Sequence, residues 1–222
     1  MSSPVRRGRQ AIPRPVEWRP GPSPPWSSST LPPTADALAA TAPPAGRPLA
    51  PAFPGARPSA VLIALADGDR GPEVLLTRRS MELSHHKGEI SFPGGRMDPG
   101  ETPLDAALRE AHEEVGLEPD VVAPRGELTH LNTIVSRSYI VPVVATVGEP
   151  VELAPASPEV DRVLWVPIAT LADPDRYRSE RWGRPPTDRL IHFFELDDET
   201  VWGATAHLLT ALFTTTPPQP RF

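Results

Sequence analysis

The apolar positions of this chain fall in short runs bounded by turn-forming residues. Ala60-Val-Leu-Ile-Ala-Leu65 is continuous, the pattern of a strand buried on both faces. Asp67-Gly-Asp-Arg-Gly71 predicts a turn, and Glu73-Val-Leu-Leu-Thr77 a second strand, so the three together predict a hairpin. Further strands are predicted at residues 126–130, 139–147, 160–166 and 189–195. Pro142 cannot donate to a ladder, which predicts an edge or a bulge for its strand. Ala206, Leu208, Leu209, Leu212 and Phe213 recur at helical spacing and predict a helix over 203–214. Residues 172–186, full of Asp, Arg and Pro, read as a long loop, either a flexible cover over a site or plain surface. Strands and helices intermingle, which predicts the α/β (α+β) class, and no internal repeat is present.

Composition divides the chain near residue 58. Of 32 prolines, 15 lie in residues 1–58, and that stretch carries seven arginines against Glu17 and Asp36, a balance of +5. With −6 for the whole chain, the remainder is left at −11. Residues 1–57 have too few large apolar side chains to offset the entropy of ordering, so they are expected to be a disordered Pro/Ala/Arg-rich tail. A helical turn at Ala35 to Ala40 is the local exception. The tail reads as a solvated extension or as a docking ligand for a proline-recognising groove. The domain then spans 58–216, and 217–222 is a short C-terminal tail.

An acidic domain is a poor electrostatic match for nucleic acid or an anionic membrane surface, so neither is expected as a partner. Zero cysteines exclude disulfides, thiolate metal sites and a Cys nucleophile. No apolar run approaches the roughly 18 residues of a membrane span, and the expected address is the cytoplasm.

One helix announces both its ends. Thr102 is the predicted N-cap, with Pro103 at the first helical position, Asp105 as the third-position acid and Gly116 as the stop. At 100° per residue, Leu104, Leu108, Ala111 and Val115 form an apolar stripe. Glu110, Glu113 and Glu114 fall together on the other side. Like charges at these spacings repel, whereas a plain surface helix more often alternates sign. The bland alternative is a solvated face with Arg109 paired to Glu113. The functional one is a hard-cation site, since clustered carboxylates without Cys or His suit Mg²⁺ or Mn²⁺.

Spacing decides. Gly95, Glu101, Arg109, Glu110, Glu113, Glu114 and Gly116, with Ala111 and Leu117 at the apolar positions, match every fixed position of G-x5-E-x7-R-E-U-x-E-E-x-G-U. Seven such matches arise by chance on the order of once in a million chains of this length. The segment resembles the box of the Nudix hydrolases. That resemblance implies an α/β/α sandwich around a mixed sheet and metal-dependent cleavage of a diphosphate joined to a nucleoside-like group. It implies Glu110, Glu113 and Glu114 as metal ligands and catalytic residues. Arg109 would orient them, Gly94 and Gly95 would form the loop before the helix, and Glu101 would support that loop.

Leu75-Leu-Thr-Arg-Arg-Ser80, followed by Gly88 and Phe92-Pro-Gly-Gly95, is similar to L-L-T-x-R-S-x3-R-x3-G-x3-F-P-G-G of the coenzyme A diphosphatases in that family. Ser84 departs, standing where that subfamily has Arg. The similarity continues weakly through Leu131 to Ser136, Tyr139 to Val144 and Val201 to Ala206. It implies coenzyme A or acyl-coenzyme A as substrate, with Arg78, Arg79, His86, Gly94 and Gly95 as substrate-binding residues. Coenzyme A adds a 3′-phosphate to its diphosphate, and guanidinium groups before the loop would meet that charge. NADH or ADP-ribose as substrate, and a noncatalytic binding module, are the alternatives. The general base is left open among Glu114, Glu152 and Glu159, and so is the oligomeric state, a homodimer included.

Overall fold

The computed structural model describes residue 8, residues 10–133 and residues 137–215. Its frame is a mixed eight-stranded sheet. The expected hairpin consists of β2 (Arg57–Gly68) and β3 (Gly71–Arg79), but the strands pair only near the turn, from Leu65↔Val74 to Gly68↔Gly71. Beyond it they splay, and two short strands fill the opening: β4 (Ile90–Ser91) on β3, and β5 (Gly94–Arg96) on β2. β6 (Val122–Glu127) and β7 (Leu131–Thr133) both pair antiparallel with β8 (Ser138–Val147), which runs parallel to β2. β9 (Val160–Pro167) pairs antiparallel with β3.

The apolar runs are buried on both faces, as their continuity predicted. Leu62, Ala64, Leu75, Val143 and Ala145 pack toward the helix α2 (Pro103–Val115). Ile63, Leu65, Val74, Leu76 and Val144 point into the opposite core. The α2 side is rich in alanine, Ala60, Ala64 and Ala66 from β2 meeting Ala106, Ala107 and Ala111 from the helix, all fully buried. Small side chains let helix and sheet approach closely, which fixes the height of α2 above β2.

The other layer holds α1 (Ala35–Ala39), α3 (Ile168–Ala172), α4 (Gly203–Thr214) and a second, antiparallel sheet. Its strands are β1 (Trp18–Pro20), β10 (Tyr177–Trp182), β11 (Arg189–Glu195) and β12 (Thr200–Trp202), in that order across the sheet. The architecture is thus an α/β/α sandwich around a mixed sheet, with a further small sheet in one outer layer.

Four expectations are corrected. Over residues 10–57 the disordered tail is instead packed on the domain: β1 extends the second sheet through Trp18↔Trp182, and Leu38 of α1 is fully buried. Trp26 stacks on Phe194 at 5.7 Å and meets Tyr177 and Phe213 edge-on. Few but large apolar residues, placed where the second sheet needs a cover, outweigh the proline-rich average. The loop at 172–186 contains β10, whose polar sequence hides it: Arg178 donates across the sheet to Glu195 at 3.0 Å and also to Glu180 on its own strand. Pro142 lies in the internal strand β8, at the gap where β7 gives way to β6, so its missing donor breaks no ladder. The strand expected at 126–130 lies earlier, as β6. The expectations for residues 1–7, 9, 134–136 and 216–222 fall outside the described residues.

Candidate active site

Helix α2 carries the acidic cluster, and its ends are fixed by local hydrogen bonds. Thr102 Oγ1 accepts from Asp105 N at 3.2 Å, and Asp105 Oδ2 accepts from Thr102 N at 3.3 Å. Gly116 ends the helix in the left-handed region, φ 72°. Ala111 and Val115 are buried and Leu104 and Leu108 partly so, as the stripe predicted. The carboxylates on the remaining surface do not share one environment. Glu114 is 6% exposed, Glu110 is half-buried, and the Glu113 side chain stands 57% exposed.

Arg109 binds the cluster together. Nε and Nη2 grip the two oxygens of Glu101 at 2.7 and 3.1 Å. Nη1 reaches Glu110 at 3.1 Å and Glu113 at 3.2 Å, and Nη2 also donates to the Arg96 carbonyl at 3.0 Å. The planar fork of arginine suits this many acceptors. Glu101, held first by Arg109 and then by the Asp98 N–H, has its pKa lowered. It ties loop to helix, the supporting role that the resemblance implied.

The glycine loop faces the helix. Gly94 adopts φ 149° and lies so near β2 that a Cβ would come within 2.4 Å of the Ala60 carbonyl oxygen. A residue without a side chain is required there. The Gly94 N–H donates to Glu114 Oε2 at 3.2 Å. Burial pushes the Glu114 carboxyl up to about 7, with Glu110 and Glu159 adding to it while Gly94 and Arg79 oppose. Glu110 is likewise raised, by burial foremost, against the pull of Arg109.

Loop and helix enclose an open cleft of about 430 Å³, lined by Gly94, Gly95, Arg109, Glu110 and Glu114. Arg79 enters it from the end of β3, with Nη2 3.3 Å from Glu159 Oε2 and its Nε buried without a hydrogen-bond partner among the described residues. Arg96, Asp98 and Glu159 complete the lining. Arg96 and Asp98 were missed from sequence, although their place directly after Gly95 was the available signal.

The remaining expected residues lie elsewhere. Arg78 is not in the cleft lining but paired to Asp161 at 2.6 Å and Glu199 at 2.7 Å, because adjacent side chains on a strand point to opposite faces. His86 is exposed on the loop before β4, its Nδ1 2.9 Å from Glu89, and it does not line the cleft either. Glu152 is exposed and outside the lining. Glu113 turns outward to Arg109.

The donor set fits a hard divalent cation. Carboxylates without thiolate or imidazole are its usual ligands, and Glu114 is buried and Glu110 half-buried against their own charge, a cost that a cation would relieve. Among the described residues no trio of acidic or imidazole side chains already converges on one point, since Glu113 stands at the rim. Among the described residues no helix is long and apolar enough to cross a membrane.

The NUDIX domain family matches residues 56–199. Nudix hydrolase 3 of Caenorhabditis elegans is 41% identical over 117 residues, 50% of this chain and 48% of that protein. Nudix hydrolase 22, chloroplastic, of Arabidopsis thaliana is 35% identical over 176 residues, 73% of this chain and 56% of that one. The chain thus spans about half the length of these relatives. A solved Nudix hydrolase from M. smegmatis shares 30% identity, over 55% of this chain and 76% of its own, at a TM-score of 0.46. Nudix hydrolases generally use divalent metal ions. The matched span covers well over half of the chain and contains the entire helix and loop just described, so the chain belongs to the NUDIX domain family.

Proposed function

We propose that this enzyme hydrolyses the diphosphate of coenzyme A or its acyl thioesters, releasing 3′,5′-ADP and 4′-phosphopantetheine or its acyl form. Glu110 and Glu114 are read as the inner carboxylates for Mg²⁺ or Mn²⁺, with Glu113 completing the set from the rim. When bound, such a cation neutralises charge on the non-bridging oxygens and activates a water. The protein's own part is positioning. Arg109 keeps loop and helix together, Gly94 holds Glu114 by its N–H, and Gly95 leaves room for Glu110.

The observation that carries the substrate reading is Arg79. It is the arginine of Leu-Leu-Thr-x-Arg-Ser, it shares the cleft with Glu110 and Glu114, and its buried Nε has no partner among the described residues. A phosphate oxygen would supply that partner, and guanidinium–phosphate contacts are among the stronger hydrogen bonds. The cytoplasmic address belongs to the same reading, because that is where a soluble cofactor pool is met.

Ser84 supports a second reading, another nucleoside diphosphate derivative such as ADP-ribose or NADH. With Ser84 in place of an arginine, and with Arg78 and His86 outside the cleft, fewer cations are available for a 3′-phosphate. The test compares coenzyme A, NADH and ADP-ribose at equal concentration, with Mg²⁺ and with Mn²⁺, by product analysis. Coenzyme A is expected to give the highest kcat/KM. More efficient hydrolysis of ADP-ribose or NADH would overturn the first reading in favour of the second.

A further inference from the structure

Arg79 reaches the cleft where its strand pairing breaks. β3 and β9 run in register from Glu73↔Pro167 to Arg78↔Arg162, then the pairing skips Asp161, so that Arg79 stands opposite Val160. A bulge of this kind re-aims the side chains beside it. The extra residue is itself engaged, since Asp161 Oδ1 accepts from Arg78 Nε at 2.6 Å. Arg78 Nη1 donates to Glu199 Oε1 at 2.7 Å.

Glu199 is 3% exposed in the connection between β11 and β12. It also accepts from Arg162 Nη1 at 3.3 Å and from the side-chain amide of Gln10. Gln10 Oε1 accepts in turn from Thr200 N at 2.9 Å. One buried carboxylate therefore joins the N-terminal segment, both strands of the bulge and the second sheet. Past the bulge, Arg79 N donates to the Glu89 carbonyl at 2.9 Å and Ser80 N to the Glu159 carbonyl at 2.7 Å. The chain is pinned on both sides of Arg79, by ion pairs before it and by backbone bonds around it.

We propose that Arg78, Asp161 and Glu199 are positioning residues, which lock the β3–β9 bulge and so aim Arg79 into the cleft. The inference rests on the reading of Arg79 as a substrate-phosphate contact. It gives Arg78 a task at the site without contact to the substrate.

The test uses the full chain with Mg²⁺, on coenzyme A and on ADP-ribose, taking the substrate turned over more efficiently. Asp161→Asn preserves the side-chain shape and leaves the Arg78–Glu199 pair in place. It is expected to raise KM about five- to tenfold while kcat stays within about twofold and the melting temperature is unchanged. In an Arg79→Ala background it is expected to add nothing, because both changes remove one contact. Additive losses in the double variant would overturn the proposal, as would an unchanged KM in Asp161→Asn where Arg79→Ala raises it. If Arg79→Ala itself leaves KM unchanged, the reading of Arg79 fails, and the positioning role fails with it. Arg78→Lys, which keeps a cation for Glu199 but loses the fork that reaches Asp161, repeats the comparison should Asp161→Asn not fold.

Discussion

The Glu110 carboxylate occupies the space that a side chain on Gly95 would take: a Cβ there would lie 2.4 Å from Oε1. Gly95→Ala therefore displaces the end of a flexible side chain and leaves the backbone in place. The fold is expected to survive while kcat falls on the order of a hundredfold, the scale of a misplaced reacting group. Gly94→Ala contrasts with it. There the clash is with the Ala60 carbonyl and φ is 149°, so thermal stability should fall along with activity. Steady-state kinetics and melting curves on both variants check this. Full activity in Gly95→Ala would mean that Glu110 is not needed where it stands.

A cation would relieve the charge of the buried Glu114 and half-buried Glu110. Mg²⁺ or Mn²⁺ is expected to raise the melting temperature, reaching about 2.7 kcal/mol of stabilisation at a hundredfold excess over the dissociation constant. A cation takes the ionised carboxylate, and burial holds Glu114 up to about 7, so affinity should climb as pH rises through that value. Glu114→Gln should remove both the shift and turnover while leaving the fold. A Glu110→Gln, Glu114→Gln double variant with full activity would defeat the metal assignment.

The helix α2 was legible to the residue, because Thr102, Pro103, Asp105 and Gly116 encode its ends locally. The loop glycines and Arg109 were legible for a different reason, the fixed spacing of the box. The sequence did not show the different environments of the three glutamates. Helical spacing puts Glu110, Glu113 and Glu114 on one side, whereas burial depends on how high β2 and the Gly94 loop rise against that side. The pair Arg78 and Arg79 was equally opaque, since only the bulge at Asp161 shows which of the two enters the cleft. The N-terminal segment misled by its average: composition weighs every proline, whereas packing depends on Trp26, Ala35 and Leu38.

That segment gives a direct measurement. Leu38 is 1% exposed between α1 and the main sheet, so Leu38→Ala should cost about 2–4 kcal/mol in urea unfolding. Deleting residues 1–55 should cost more, because it also uncovers Phe194 and Phe213 beneath Trp26. A loss below about 0.5 kcal/mol on deletion, the range of surface changes, would restore the view of a solvated extension.

Acid stability should depend on His192 of β11, which does not line the cleft. The residue is 8% exposed, with Nδ1 2.7 Å from the Tyr177 hydroxyl. Burial pushes it down to about 4 from an ordinary 6.5, and the nearby His207 adds a smaller push. A folded pKa below the unfolded one means that the unfolded chain takes up the proton first as pH falls. The stability that His192 contributes is therefore complete above about 6.5 and is lost progressively toward pH 4. At pH 5.0 the loss amounts to about 2 kcal/mol relative to neutral pH. His192→Gln retains a polar group for Tyr177 but cannot titrate, so between pH 7.5 and 5.0 it should lose about 2 kcal/mol less than the unmodified protein in urea unfolding. Titratable groups away from His192 contribute equally to both proteins and cancel, and His207, itself lowered by burial, is present in both. An identical loss in the two would show that the folded His192 accepts its proton without penalty, and would place the acid sensitivity elsewhere.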